Sequence, residues 1–408
     1  MFIRVHPWLN FRVFIVPKTM RAVVYHGVND LRLETVPVPR IGANELLVRV
    51  AVCGVCPTDI KKIQYGTVPP PRIFGHETAG TIVKVGARLR GFKSGDRVAL
   101  HHHVPCLDCH FCRHRAFAQC ATYKRTGITA GFEPAGGGYA EYVRVMNFVL
   151  PGVVKIPARN SFAEGAMLEP VNTVLKAVRR LNLLRGDVVL VAGQGPIGLM
   201  FTRLLQLAGA RVLATDLLEP RLRLAKKFGA KWTRLAESRA SSVEGKKVAA
   251  PDPRPSTLDA AVITVPSDEV VRQTLQLVRG GGQVLLFAHT KRAEAGSRKS
   301  EVRVPTVGVR PSFSLSAAGG GEGRGEVAVP NSQIDLASVC LDEKDLIGSY
   351  SSDFTLQDEV ARLVFSRRLD VRRLITHYFP LVETADAVAL AARPTPGSLK
   401  VMVKADAR

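Results

Sequence analysis

The chain has 408 residues, 46% hydrophobic and 23% charged, which fits a globular protein of roughly two to three domains and excludes a disordered or fibrous one. No run of about eighteen apolar residues occurs, so no membrane partner is expected. Lys and Arg outnumber Asp and Glu by 57 to 35, but they are scattered over every segment with no aromatic-interleaved stripe; this describes a solvated basic surface and no nucleic-acid partner.

Residues 1–19 are apolar and basic but interrupted by Pro7, Arg12 and Pro17, so they read as an N-terminal extension and not as a secretory signal. From Met20 to about Pro157 the text is strand-like, with "MRAVVYHG", "ELLVRVAV", "TAGTIVKVG", "GDRVALHHH" and "YAEYVRV" separated by Gly and Pro turns. The period then becomes helical in "FAEGAMLEPVNTVLKAVRRL". "GDVVLVAGQGPIGLMFTRLLQLAGARVLATD" follows as strand, glycine turn, helix and strand. Further helices ("RLRLAKKFGA", "DEVVRQTLQLV") alternate with strands ("LDAAVITV", "GQVLLFA"), which predicts a doubly wound parallel sheet. Residues 291–335 are rich in Gly, Ser, Arg and Pro and read as a disordered insertion. Order is expected again at "DEKDLIGSY", the helix "LQDEVARLVFSRRL" and the strand "SLKVMVKA".

The seven cysteines are an odd number, which argues against a disulfide framework, and six of them fall in two clusters before the midpoint. That reads as metal chemistry in a reducing, cytoplasmic compartment. "CLDCHFCRHRAFAQC" sets Cys106, Cys109, Cys112 and Cys120 in C-x2-C-x2-C-x7-C spacing. Four thiolates close a tetrahedral zinc shell with no open position, as a structural site requires. An iron–sulfur cluster also takes four thiolates, but the long final spacing and the absence of a following proline favour zinc. Cys340 reads as a buried bystander.

A second constellation comes from "VCGVCPTDIKK", "GHETAG" and "MLEPVNT". Cys56, His76 and Glu169 offer a thiolate, an imidazole and a carboxylate, the three ligands of a catalytic zinc whose fourth position stays open. His101, His102 and His103 invite a metal reading too, but successive strand residues face opposite ways, so packing is favoured.

"VLVAGQGPIG" carries Gly193, Gly195 and Gly198 in G-x-G-x-x-G spacing between a buried strand and a helix. The glycines permit the tight turn, the approach of a pyrophosphate and close helix packing, while Pro196 and Ile197 open the helix whose free amides face the phosphates. Asp216, about twenty residues on, can accept hydrogen bonds from the adenosine ribose. Its charge repels the extra phosphate of NADP, and Leu217 beside it offers no compensating charge, so NAD is the expected cofactor, with Arg221 and Arg223 as the residues that speak for NADP.

Taken in order, these motifs make the chain resemble the zinc-dependent medium-chain alcohol dehydrogenases, especially their sorbitol and threonine dehydrogenase-like branch, over about residues 20–290 and 340–408. The resemblance implies an α/β protein with a GroES-like, mostly-β catalytic domain at 20–177, completed by 352–408, and a Rossmann coenzyme domain at 178–351. It implies two zinc ions per chain, a homodimer or homotetramer, and a small-molecule alcohol as substrate. The metal-binding Cys of the family lies three residues before the Asp of its motif, so Asp59 selects Cys56 over Cys53 and places Thr58 at the hydroxyl that meets the substrate alcohol. His76 matches the metal imidazole, which Asp59 would orient. Glu77 matches an acidic neighbour that ligates directly or through water, and Glu169 the acidic fourth-ligand position. Lys61 departs from the pattern, standing where some members carry a proton-relay histidine. The implied reaction is hydride transfer from a secondary alcohol or polyol to NAD. Alternatives are the reverse reduction of an aldehyde or ketone, or a non-catalytic zinc- and NAD-binding sensor.

Overall fold

In the computed structural model, residues 15–101, 104–125, 136–236, 257–288 and 336–405 are described. The expected extension before residue 15, the 291–335 segment, His102 and His103 lie outside them. The first half of the chain gives β1 (Thr19–Gly27), β2 (Asp30–Pro37), β3 (Leu46–Gly54), α1 (Pro57–Tyr65), β4 (Arg72–Ile73), β5 (Glu77–Val85), β6 (Arg97–Leu100), the short helices α2 (His110–Arg113) and α3 (Ala121–Arg125), β7 (Tyr142–Val145) and β8 (Val154–Lys155). Helices α4 (Phe162–Ala166) and α5 (Leu168–Val178) then lead into β9 (Val188–Ala192), α6 (Pro196–Leu207), β10 (Arg211–Asp216), α7 (Glu219–Lys227), β11 (Trp232–Leu235), β12 (Leu258–Ile263), α8 (Asp268–Leu277) and β13 (Val278–Leu286). The chain ends with α9 (Leu336–Leu341), β14 (Asp345–Gly348), α10 (Gln357–Phe365), β15 (Ile375–Pro380), α11 (Thr384–Ala392) and β16 (Lys400–Lys404).

The early strands form two sheets. A small one has the order β2-β1-β4. Its β1–β2 hairpin turns at Asn29, whose φ of 57° is tolerated because a short polar side chain costs little in the left-handed region. Sequence patterning missed β2, although "VND" between two alternating runs is a turn signal. The larger sheet runs β15-β16-β3-β5-β6-β8, with β7 also on β3. Antiparallel pairing of β16 with β3 sets Met402 against Gly54 and Val403 against Cys53, so the last strand of the described chain lies beside one of its first.

The third sheet is wholly parallel, in the order β11-β10-β9-β12-β13-β14. Every residue of β9 ("VVLVA") is buried, as a strand covered by helices on both faces demands. Counting its strands as they occur gives 3-2-1-4-5-6, and the reversal between β9 and β12 opens a crevice at their carboxyl ends, where ligands bind in such sheets.

Residues 162–181 read as one helix in sequence, but the structure breaks it at Met167. Pro170 is the reason: it has no N–H to give, and its ring would strike the carbonyl four residues back at Ala166. Leu168 therefore starts a new helix and Glu169 sits in its first turn. Val171, Val174 and Leu175 of α5 pack with Leu199, Leu204 and Leu205 of α6 and Val360 and Val364 of α10, one core shared by the mostly-β region and the parallel sheet. Among the described residues no helix is long and apolar enough to cross a membrane. The strand expected through residue 103 ends at Leu100, and buried His101 is hydrogen-bonded through Nε2 to Ser352 Oγ at 3.3 Å.

Candidate active site and metal centres

Cys56 stands at the N-terminus of α1, directly before Pro57, whose fixed φ suits the first helical position. His76 follows β4 and Gly75. The nearest donor atoms of Cys56, His76 and Glu77 all lie within 4.8 Å of one another. Asp59, on α1 and wholly buried, accepts from His76 Nδ1 at 3.0–3.1 Å. That bond fixes the ring and leaves Nε2 as the coordinating atom. Burial disfavours a charged ring, yet Asp59 and the Cys56 thiolate hold the His76 pKa well above its ordinary value. The surroundings are thus arranged to stabilise a cation, and a thiolate, an imidazole and a carboxylate are a fitting donor set for zinc.

Cys53 is not in this cluster. It lies buried on β3, accepts from Thr78 Oγ1 at 3.4 Å, and burial pushes its thiol up to about 12, which keeps it an inert core residue. Glu169 lines the same cleft but falls outside the three-residue donor cluster. Burial and the neighbouring Glu77 charge, against the pull of His76, push its carboxyl up to about 7.

One residue of the site escaped the sequence reading. Lys400, the first residue of β16, is buried, pairs with the Glu77 carboxylate and donates to the Val55 carbonyl at 2.9 Å. Nothing local marks it, since it reads only as a lysine in the strand "SLKVMVKA". The signal is the pairing of β16 with β3 across 345 residues.

In the four-cysteine lobe the sulfurs of Cys106, Cys109, Cys112 and Cys120 also lie within 4.8 Å of one another. Three of their separations are 3.5, 3.7 and 3.9 Å. Zn–S bonds of about 2.3 Å in a tetrahedron put the sulfurs about 3.8 Å apart, whereas a disulfide needs about 2.05 Å. Backbone N–H groups of Cys106 and Cys109 donate to Cys120 Sγ and Cys106 Sγ at 3.4 Å each, which favours thiolates. The lobe does not stand apart: Tyr123 is hydrogen-bonded to Ser351, Phe117 meets Phe354 edge-on at 5.6 Å, and Ala118 and Tyr123 line the cleft. Cys340, expected to be buried, is exposed.

At the crevice of the parallel sheet, Gly193 turns with φ 92° and Gly195 caps α6. A Cβ on Gly195 would meet nothing within 4 Å, so its open side is free for a phosphate. A Cβ on Gly198 would run into the Gly193 carbonyl, whose carbon lies only 2.8 Å away. Pro196 and Ile197 begin α6 and line the cleft with Gly195. Asp216 ends β10 and accepts from the Gln194 N–H at 2.6 Å and the Leu218 N–H at 2.9 Å. A carboxylate has about four acceptor positions, so room remains for ribose hydroxyls. Arg221 turns to Asp216 at 3.9 Å and lines the cleft; Arg223 is exposed and faces Glu219. The buried Gln194 side chain bonds Val191 O and Thr202, and Thr264 Oγ1 donates to the Ala192 and Gly193 carbonyls, holding the turn from behind.

One cleft of about 830 Å³ joins these parts: Cys56, Thr58, His76, Glu77 and Glu169 line it together with Gly195, Pro196 and Arg221. Two known families match the chain, the alcohol dehydrogenase GroES-like domain at residues 42–158 and the zinc-binding dehydrogenases at residues 196–310. Sorbitol dehydrogenase of Bos taurus is 30% identical, the match covering 94% of this chain and 96% of that protein. The sorbitol dehydrogenase of Bacillus subtilis is 28% identical over 95% of this chain and 98% of its own length. Among solved structures, a zinc-binding dehydrogenase of Sinorhizobium meliloti bound to NADP superposes with a TM-score of 0.74 at 25% identity, covering 95% of this chain and all of that one. The chain belongs to the zinc-dependent medium-chain alcohol dehydrogenase family, on its sorbitol dehydrogenase-like branch.

Proposed function

We propose that the protein oxidises a secondary alcohol or polyol to the carbonyl compound at the Cys56–His76–Glu77 site, the same residues serving the reverse reduction. By family it is a zinc- and NAD-dependent alcohol or polyol dehydrogenase. The observation that carries the site assignment is a single one: the donor cluster and the glycine turn open onto the same cleft. Bound zinc supplies Lewis acidity to an alcohol oxygen, and NAD supplies the hydride acceptor.

The chain's own residues do the rest. Cys56, His76 and Glu77 hold the metal, with Asp59 orienting the imidazole and Lys400 countering the Glu77 charge. Glu169, which lines the same cleft outside that cluster, would serve as the further acidic ligand of the metal. Thr58, half-buried in the first turn of α1, accepts the alcohol proton and passes it towards solvent. Gly193, Gly195 and Gly198, with Pro196 and Ile197, bring backbone amides to the pyrophosphate, and Asp216 holds the adenosine ribose while Arg221 flanks it. Cys106, Cys109, Cys112 and Cys120 bind a second, structural zinc that shapes the cleft through Tyr123.

The same reading divides the chain into an extension at 1–19, a catalytic domain at 20–177 completed by 352–408, and a coenzyme domain at 178–351. It places the protein in the cytoplasm, where free thiolates persist, as a homodimer or homotetramer. The direct test is NADH formation by purified, zinc-loaded protein with polyols, simple secondary alcohols and amino alcohols. Turnover is expected with at least one class; silence across the panel with zinc and NADH still bound would overturn a neutral alcohol as substrate and favour a phosphorylated substrate or the non-catalytic zinc- and NAD-binding sensor.

A further inference from the structure

The segment after β14 carries the chain from the parallel sheet towards α10, and its residues 349–351 line the cleft. It is tied down at nearly every position. Lys176 of α5 donates to the Tyr350 carbonyl at 2.8 Å, and Arg180, one turn on and just past the helix, donates to the Gly348 carbonyl. The Ser349 N–H donates to the Leu286 carbonyl of β13 at 3.2 Å. Ser351 Oγ is hydrogen-bonded to Tyr123 of the four-cysteine lobe and Ser352 Oγ to His101 at 3.3 Å, while the Asp353 N–H donates to Asn172 Oδ1 at 2.8 Å. Ser351 is held at φ 62°. A non-glycine residue keeps that left-handed conformation only where its surroundings over-determine it, and such strain clusters at ligand clamps.

Tyr350 is the side chain this anchored segment presents. Its carbonyl is fixed, but its ring is 54% exposed and lines the cleft. Its hydroxyl makes no hydrogen bond among the described residues. Burial and the Cys56 thiolate raise its pKa, with Glu169 and Asp59 adding to the rise against the pull of His76, so the phenol stands within electrostatic reach of the metal side and stays a donor. Ser349 before it is 8% exposed, and its Oγ likewise has no hydrogen-bond partner among the described residues. A buried hydroxyl left unmet is costly, so this wall suits an occupant with hydroxyls of its own.

We infer that Tyr350 determines which alcohols are accepted, its hydroxyl hydrogen-bonding a second hydroxyl that neighbours the one meeting Thr58 and the Cys56–His76–Glu77 site. This rests on the dehydrogenase reading and assigns it the residue that separates a diol from a simple alcohol. Because the backbone on both sides of Tyr350 is already anchored and a tyrosine has only two χ angles, little conformational entropy is lost when the contact forms.

The test measures kcat/KM with NAD for butane-2,3-diol and butan-2-ol, one four-carbon chain with and without the second hydroxyl, in wild type and Tyr350→Phe. The variant keeps the ring and loses only the hydroxyl. The diol-to-monoalcohol ratio of kcat/KM should fall by roughly three- to tenfold, chiefly through KM, as the loss of one hydrogen bond implies. Zinc content and NADH affinity should match wild type, which a merely structural role of Tyr350 would not allow. An unchanged ratio, or both alcohols slowed alike, would overturn the inference and leave the dehydrogenase standing. Silence of both alcohols would count against a neutral alcohol as substrate, and NADH-fluorescence titration of the zinc-loaded protein with each would still decide the role of Tyr350. Diol binding that weakens in Tyr350→Phe supports it; diol binding that is absent, or equal in the two proteins, overturns it.

Discussion

Two glycines three residues apart in the turn after β9 should respond differently to the same added methyl group. At Gly195 the backbone has φ −66° and ψ −175°, which alanine adopts freely, and its Cβ would meet nothing within 4 Å. Gly195→Ala should therefore leave thermal stability unchanged. The methyl would instead stand where the pyrophosphate approaches the amides of α6. Losing one or two charge-assisted hydrogen bonds, worth about 1.5–3 kcal/mol each, should weaken NADH roughly ten- to hundredfold or more. At Gly198 the methyl would collide with the Gly193 carbonyl, with its carbon at 2.8 Å and Thr264 Oγ1 at 3.2 Å, and backbone cannot swing aside as a side chain can. Overpacking of this kind costs about 1–3 kcal/mol, and at about 2–4 °C per kcal/mol for a domain of this size the Tm should fall by roughly 2–12 °C. Because the clash pushes the turn off the helix, NADH affinity should fall as well. Fluorescence titration with NADH beside a thermal melt reads both quantities on each variant. Equal NADH affinity in Gly195→Ala and wild type, or an unchanged Tm in Gly198→Ala, would overturn these roles of the two glycines.

Other consequences follow from single contacts. Asp216→Ala removes the ribose acceptor and an acceptor for the Gln194 N–H, so KM for NAD should rise by about tenfold or more while NADP utilisation changes little, as steady-state rates with the two cofactors will show. Asp59→Asn removes the charged acceptor that fixes His76, and metal titration should show the catalytic zinc bound about 10- to 100-fold more weakly, with the four-cysteine site unaffected. Glu164 is 2% exposed and closes a capping box with Ser161; burial opposes its ionisation, but the Ser161 N–H, Asn160 and Arg367 outweigh it and hold its pKa below the usual value. A depressed folded-state pKa gives stability that is present above the unfolded value of about 4.3 and is lost as pH falls through the folded one. Glu164→Gln should accordingly lower Tm at pH 7, with the gap to wild type closing below about pH 4.

Much of the molecule was legible in its sequence because the relevant interactions are local. The four-cysteine lobe occupies fifteen consecutive residues, "CLDCHFCRHRAFAQC", and the glycine turn lies between a strand too apolar to be exposed and a helix. Cys56, Thr58 and Asp59 share one turn of α1, so identifying one located the others. What stayed hidden depends on contacts between distant segments. Lys400 acquires its meaning only when β16 pairs with β3. The break at Met167 was readable in principle, since Pro170 forbids a continuous helix, but apolar periodicity runs straight through it. Likewise neither helical nor strand patterning distinguishes Cys53 from Cys56; what separates them is that β3 buries the first sulfur while the start of α1 turns the second into the cleft.

The proposed function depends on the Cys56–His76–Glu77 centre. The most direct measurement is zinc content and NADH formation in wild type and Cys56→Ser, with NADH binding measured alongside. The wild type should hold two zinc ions per chain, matching the two donor clusters; the variant should keep one, bind NADH as before and turn over no alcohol. A Cys56→Ser protein that retains both ions, or oxidises alcohol at the wild-type rate, would contradict it.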